Sequence, residues 1–353
     1  MNKKKVTVAM SGGIDSAVAA LLIKEQGYEV TGATMKLCDK KLSDGTDAAE
    51  LDINDAREIC EKLEIPHKVY DLSNEFNATV IKDFIDTYMH GATPNPCIVC
   101  NKHLKFGKLL DLEIESGADY IATGHYANIE QDENGRFLLK KAADPRKDQT
   151  YMLWSLTQKQ LSHALFPLGN MTKPEIREIG AQNGFVNAHK SDSQDICFVP
   201  DGDYASFIEK KLGDKYPEGN YIDENGNILG KHKGMIHYTI GQRKGLGISM
   251  NKHIFVVNKN AEHNTVTLAD EDRLFKNQVV IRNINLIPFD KIEGRIRIEA
   301  KIRYSQSQSP AYAEQTGEDE ITLTFDTPQR APAKGQSAVM YDGDTVIGGG
   351  IIQ

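Results

Sequence analysis

Apolar positions in the first half of the chain follow two alternating patterns. Residues 5–10, 29–35, 67–71 and 120–123 are short runs rich in valine, threonine, isoleucine and tyrosine, too short for helices, and they read as strands. Between them apolar residues return every three or four positions. In 16–26 the pattern is carried by Val18, Leu21, Leu22 and the neighbouring alanines, and 54–63, 76–89 and 102–115 repeat it, so four helices are expected. Strand–helix alternation predicts a parallel sheet covered on both faces. Ligands bind such sheets at the carboxyl ends of the strands, where the first glycine turn lies. Near residue 210 the pattern changes. Turn signals such as Asp223-Glu224-Asn225-Gly226-Asn227 and Asp342-Gly343 separate alternating segments at 295–304 and 321–325, and helical periodicity almost vanishes. The expected organisation is an α/β domain over 1–208 and two small, mostly β domains over 209–275 and 276–353.

Length agrees, since 353 residues at about 150 per domain give two or three domains. Lys+Arg 42 against Asp+Glu 50 leaves a net charge of −8, which argues against a broadly basic protein that coats nucleic acid but leaves room for a local basic face. With 40% hydrophobic and 26% charged residues, intrinsic disorder, collagen-like repeats and coiled coil are excluded. No apolar run approaches the roughly 20 residues of a membrane helix. The lysines at 3–5 precede an apolar stretch that runs at once into Ser11-Gly12-Gly13, too short for a signal sequence. A cytoplasmic protein without a membrane partner is expected. Five cysteines (38, 60, 97, 100, 197) are too few and scattered for a disulfide scaffold.

Ser11-Gly12-Gly13-Ile14-Asp15-Ser16 lies between the first strand and the first helix. Its glycines permit a sharp turn and close approach of backbone to a ligand. The amides and dipole of the helix start form a natural anion site, and two hydroxyls add donors. No Gly-Lys-Ser/Thr occurs in the chain and no Gly-x-Gly-x-x-Gly follows the strand, so neither a Walker loop nor a dinucleotide fingerprint is present. The competing reading is an ordinary turn capped by Ser16 or Asp15. The whole string resembles the pyrophosphate-binding loop of ATP pyrophosphatases, among them GMP synthetase, NAD synthetase, argininosuccinate synthetase and tRNA-thiolating enzymes. That resemblance implies an adenine nucleotide α-hydrolase-like domain that splits ATP between its α and β phosphates.

Thr93-Pro94-Asn95-Pro96-Cys97-Ile98-Val99-Cys100-Asn101 brings two cysteines to the start of the helix expected from 102. A helix N-terminus lowers thiol pKa, and Lys102 and His103 act in the same direction. A third cysteine sits in Asp192-Ser193-Gln194-Asp195-Ile196-Cys197-Phe198. Cys60 falls on the apolar side of a helix and reads as a small buried hydrophobe, and Cys38 as incidental. Structural zinc on Cys97 and Cys100 would still need two more ligands.

The phosphate loop, the Asn-Pro-x-x-x-Cys-Asn segment and the Asp-Ser-x-x-Ile-Cys-Phe segment together resemble the bacterial tRNA-specific 2-thiouridylase family. Further segments in family order are Thr123-Gly124-His125-Tyr126-Ala127, Lys147-Asp148-Gln149-Thr150-Tyr151, 238–247, Arg303-Tyr304 and 335–339. The resemblance covers essentially the whole chain and implies that the last domain is a β-barrel. It implies ATP on Ala9, Met10, Ser11, Gly12, Gly13, Ile14, Asp15, Ser16, Met35 and Gly124. The target base would lie against Asn95, Pro96 and Cys97, and tRNA would touch Lys147, Asp148, Gln149, Arg303 and Tyr304. Cys100 matches the family nucleophile and Cys197 the persulfide carrier. The implied reaction is that of a tRNA-uridine 2-sulfurtransferase. Mg²⁺-ATP adenylates O2 of the wobble uridine, Cys197 persulfide delivers sulfur, and AMP, pyrophosphate and a Cys100–Cys197 disulfide result. Partners would be the tRNA anticodon stem-loop and a sulfur donor such as a cysteine desulfurase or a sulfur-relay carrier. The family often has Asp where Cys97 stands and Arg where Ala92 stands. Cys97, Cys100 and Cys197 as ligands of a [4Fe–4S] cluster remain an alternative. So does an amide-forming pyrophosphatase ligase, although it has no need of three placed cysteines. A tRNA-binding protein without enzymatic activity would leave the phosphate loop idle.

The acidic total conceals a basic stretch. Between Asn225 and Ala261 no acidic residue occurs, against Lys231, Lys233, Arg243, Lys244, Lys252 and Lys259. Residues 291–310 add five cations against Glu293 and Glu299. The flexible, basic 241–247 segment suits backbone phosphates. Tyr238 and Tyr304 are left open between base stacking and packing within their sheets.

Overall fold

The computed structural model describes residues 3–38, 47–185, 196–199, 202–248 and 252–353. They form two compact units. The first comprises Met1–Val80, Cys97–Gln194 and Gly343–Ile347, and the second Ile81–Pro96, Asp195–Asp342 and Gly348–Gln353.

The first unit is built on strands Lys5–Ala9 (β1), Glu29–Lys36 (β2), His67–Asp71 (β3), Tyr120–Ala122 (β4), the hairpin Asn128–Gln131 (β5) with Phe137–Lys140 (β6), and Ala164–Leu165 (β7). Five of them form a parallel sheet in the order β3-β2-β1-β4-β7. Val6, Thr7 and Val8 of β1 are all buried, as a strand covered on both faces requires. The helix Ile14–Glu25 is buried over most of its length through Ile14, Val18, Leu21, Ile23 and three alanines, whose small size lets it lie close to the sheet. Gly27, at φ +89°, ends it. The next strand after β1 in sequence lies on one side of it and β4 on the other, so the strand order reverses at the β1/β4 boundary. In a parallel sheet that is where ligands bind.

Beyond the β5–β6 hairpin and the short helices Thr150–Leu153 and Gln158–Ser162, two further parts of this unit went unread in the sequence. Strand β7 has only two residues, below any detectable period. The helix Lys173–Gln182 carried a legible signal, since Thr172 and Glu175 form a capping box in which the Thr172 amide and hydroxyl both donate to Glu175 Oε2 at 2.7 Å.

A third difference concerns the cysteine segment. Helix begins at Pro96, not near 102, and runs as Pro96–Cys100, a π-helical stretch Asn101–Leu109 and Leu110–Glu115. Proline suits the first helical position because its missing N–H has no intrahelical partner there anyway. Both cysteines therefore sit within the helix, Cys97 in its first turn and Cys100 at the start of its second.

In the second unit, Gly219–Ile222 (β8), Ile228–His232 (β9), Phe255–Asn260 (β10) and Thr265–Ala269 (β11) form a sheet in the order β10-β11-β8-β9. Strands Phe275–Leu286 (β12), Arg295–Lys301 (β13), Ser309–Gly317 (β14), Glu320–Arg330 (β15), Ser337–Asp342 (β16) and Thr345–Ile352 (β17) follow in the order β12-β15-β14-β13-β16-β17. Pairing of β12 with β17 closes them into a six-stranded barrel. Strict alternation in β15, with Ile321, Leu323 and Phe325 buried, fills its interior. The α/β domain followed by small β units, the last a barrel, is the fold expected. Among the described residues no helix is long and apolar enough to cross a membrane.

Candidate active site

The phosphate loop leaves β1 at the sheet's switch point. Gly12 has φ +73°, and a Cβ there would stand 2.7 Å from the carbonyl oxygen of Asp52, so only glycine fits. Gly13 caps the helix Ile14–Glu25 without a side-chain acceptor on the helix amides. Those amides remain available to an anion. Neither capping residue proposed by the competing reading acts as one. Ser16 is buried and its Oγ donates back to the Gly13 carbonyl at 2.9 Å and accepts from the Ser11 amide at 3.2 Å, which ties the loop shut on itself. Ser11 remains exposed.

Asp15 points away from that cap. Its carboxylate receives Lys173 Nζ on both oxygens at 2.8 Å and the Tyr126 hydroxyl on Oδ1 at 2.8 Å. Lys173 is 6% exposed, a buried cation supplied to a loop that contains none of its own. Sequence reading missed it because 158 residues separate it from Asp15. Gly124 packs on the same turn, where a Cβ would lie 2.7 Å from the Asp15 carbonyl carbon and 2.9 Å from the Ser16 amide nitrogen. Met35, half-buried in β2, pairs in register with Tyr70. Ala9, Met10, Ile14 and Gly124 thus surround one loop, with Ala9 and Met10 bound to Ala33 of β2.

Cys100 is buried and Cys97 exposed, both on the helix from Pro96. The expectation of lowered thiol pKa does not hold for the protein alone. Desolvation by surrounding protein pushes both thiols up, and Lys105, not Lys102 or His103, is the cation that opposes it. The same lysine faces His125, whose ring is held well below its usual range by burial and next by Lys105, and bonds Thr123 Oγ1 at 2.6 Å. Cys60 is the buried hydrophobe expected, its thiol pushed by desolvation up to about 11. Cys197 is exposed on a turn closed by the Val199 amide to the Ile196 carbonyl at 2.9 Å. Asp192, Ser193, Gln194 and Asp195 of its motif lie outside the described residues. Phe198 fills an aromatic cluster with Phe84 and Phe207, at ring separations of 5.1 and 5.3 Å.

The segment ahead of Asn95 and Pro96 is pinned by the barrel loop. The Thr93 amide donates to the Lys334 carbonyl at 2.7 Å, and Gln336 Nε2 donates to the carbonyls of Thr93 and Pro94 at 3.2 and 3.0 Å. In the Lys147–Gln149 loop, Asp148 accepts from the Ala142 amide and the Thr150 hydroxyl, and Gln149 Oε1 accepts from the Tyr126 amide. These two side chains shape the loop. Arg303 donates to the Ala331 carbonyl, while Tyr304 is 39% exposed with Lys301 Nζ 5.6 Å from its ring centre.

The basic stretch divides once folded. Arg243 and Lys244 are exposed, and among the described residues neither has an ion-pair partner. Lys252 pairs with Asp270 at 2.7 Å. Lys259 is buried, donates to the Tyr238 carbonyl at 2.9 Å, and does not face solvent. Tyr238 is 3% exposed and packs edge-on against Tyr221 and His232, which settles it as a core residue.

Three family models match consecutive parts of the chain: a tRNA methyl transferase HUP domain over residues 4–201, a tRNA methyl transferase PRC-barrel domain over 205–270 and an aminomethyltransferase beta-barrel domain over 276–352. The tRNA-specific 2-thiouridylase MnmA of Clostridioides difficile is 50% identical over 99% of this chain and 98% of its own. Its counterpart from Acetivibrio thermocellus is 48% identical over the full length of both, and one from Clostridium tetani is 49% identical over 99% and 97%. With relatives of this identity end to end, and all three domain models met in order, the chain belongs to the tRNA-specific 2-thiouridylase MnmA family.

Proposed function

We propose that the protein uses ATP to replace O2 of the wobble uridine in tRNA with sulfur. The observation that carries the ATP part is the helix start at Gly13, whose amides meet no side-chain cap while a buried lysine braces the loop from behind. In this reading Ala9–Ser16, Met35 and Gly124 hold ATP, and the loop amides stabilise the departing pyrophosphate. Both Asp15 oxygens are engaged by Lys173 and Tyr126. Mg²⁺ would therefore be held by the phosphates and water, the coordination it commonly keeps.

Residues 1–208 serve activation and sulfur transfer, and 209–275 and 276–353 dock the tRNA. Asn95, Pro96 and Cys97 lie against the base, and Lys147, Arg303 and Tyr304 contact the RNA, with Asp148 and Gln149 shaping their loop. Adenylation turns O2 into part of an AMP leaving group and releases pyrophosphate. The terminal sulfur of a Cys197 persulfide attacks C2. Cys100 thiolate then attacks Sγ of Cys197, the S–S bond to the transferred sulfur breaks, and AMP departs as C2=S forms. The transferred sulfur is reduced as the two thiols become a disulfide, which an external thiol reductant opens before the next turnover. A cysteine desulfurase or a sulfur-relay carrier reloads Cys197. This cycle needs two thiols and an external reductant only, so no step in it is routed through a [4Fe–4S] cluster.

The test is reconstitution with unmodified tRNA, ATP, cysteine and a desulfurase. The expected products are 2-thiouridine at the wobble position with one AMP per thiouridine, lost in Cys100→Ser and Cys197→Ser. Thiolation at another position, or full activity in either variant, would overturn the assignment.

A further inference from the structure

An unbroken chain of hydrogen bonds joins the Lys147–Gln149 loop to the phosphate loop through one residue, Tyr126. The Gln149 amide donates to the Tyr126 carbonyl at 2.9 Å, and the Tyr126 amide donates to Gln149 Oε1 at 2.9 Å. The phenol of Tyr126 then donates to Asp15 Oδ1 at 2.8 Å, in the first turn of the phosphate-loop helix. A second contact fixes the far end of this chain. Lys173, from the first turn of the helix Lys173–Gln182, holds both oxygens of the same Asp15 carboxylate at 2.8 Å. Tyr126 is 2% exposed, so both of its ends meet protein and not solvent. Gly124 presses the same segment onto Asp15 and Ser16, where no Cβ fits.

We propose that Tyr126 is a positioning residue that couples tRNA docking on the Lys147–Gln149 loop to alignment of the ATP-binding loop. The inference rests on the reading in which RNA meets that loop and ATP meets Ala9–Ser16. Ordering the 147–149 loop on RNA fixes Gln149, and Gln149 holds the Tyr126 backbone by two bonds. The phenol and Asp15 then lose less conformational freedom when ATP arrives, so each ligand favours the other. Such coupling is reciprocal: tRNA tightens ATP by the same factor by which ATP tightens tRNA. It favours ATP binding when the substrate RNA is present.

The test measures affinity for α,β-methylene-ATP with and without saturating unmodified tRNA, in the native protein, Tyr126→Phe and Gln149→Ala. Tyr126→Phe removes one oxygen and keeps the ring, so the fold is retained. A charged hydrogen bond of this type supports a coupling of about tenfold or more in the native protein. In Tyr126→Phe the ratio should fall below about threefold, while ATP affinity without tRNA changes less than about threefold. Gln149→Ala should reduce the ratio similarly, and the double variant no further. A purely structural role would lower stability or both affinities and leave the ratio intact. An unchanged ratio in Tyr126→Phe, or a native ratio of one, overturns the proposal. Native protein that binds neither ligand overturns the functional reading, and this inference with it.

Discussion

Lys259 offers a quantitative check on the fold, because its sequence context and its structure assign it opposite roles. It belongs to the basic stretch, yet it is 8% exposed, with its ammonium bonded to the Tyr238 carbonyl at 2.9 Å and 5.8 Å from the Tyr88 ring centre. Burial lowers its pKa from 10.5 to about 8. That difference corresponds to roughly 3 kcal/mol by which the charged form disfavours the folded state. The folded amine loses its proton near pH 8 and the unfolded one near 10.5. Between those values the unfolded chain binds the extra proton, so stability rises with pH across that window, and the full penalty is present below it. Lys259→Met removes the penalty but leaves the Tyr238 carbonyl without its donor, at about 1–3 kcal/mol. The variant should therefore be at least as stable as the native protein near neutral pH and less stable near pH 10. The assay is urea denaturation of both proteins from about pH 7 to about pH 10, read as the difference in midpoint, with the salt dependence of tRNA binding beside it. Parallel pH curves would refute the buried amine. So would a salt slope reduced by about one in Lys259→Met, which would show that this lysine reaches a phosphate.

Three further outcomes are expected. Lys173→Met leaves the Asp15 carboxylate without its cation and should lower kcat/KM for ATP by about tenfold or more, with tRNA affinity retained and partial rescue by Lys173→Arg; normal turnover would remove Lys173 from the site. Arg243→Ala and Lys244→Ala should each flatten the slope of log affinity for tRNA against log salt by about one, and an unchanged slope would mean that these charges only face solvent. Cys97→Asp should retain most activity, and in the native protein without ligands iodoacetamide should modify exposed Cys97 before buried Cys100, both faster above the usual thiol range because desolvation by the surrounding protein pushes both thiols up. Faster labelling of Cys100 at neutral pH would contradict that order.

Short-range pattern settled a large part of this protein. Strand β3 was legible as 67–71 to the residue, and β1 and β2 to within one, because a run of apolar and β-branched residues bounded by turns needs no distant partner to declare itself. Ser11–Ser16 was legible for a similar reason, since a glycine turn between strand and helix positions amides by local geometry alone. Motif order along the chain was sufficient to point to the family. What remained hidden depended on residues far apart in sequence. Lys173 reaches Asp15 across 158 positions, and Tyr126 across 111. Lys259 and Arg243 look alike in the chain, yet one is enclosed against Tyr88 and Tyr238 and the other is exposed. Lys105, rather than Lys102 and His103, is the cation whose charge acts on the thiols, and sequence distance alone does not single it out. Periodicity fixes which residues share an element, whereas burial and long-range hydrogen bonds assign each charge its partner, and those exist only once the sheet, its helices and the barrel have closed around them.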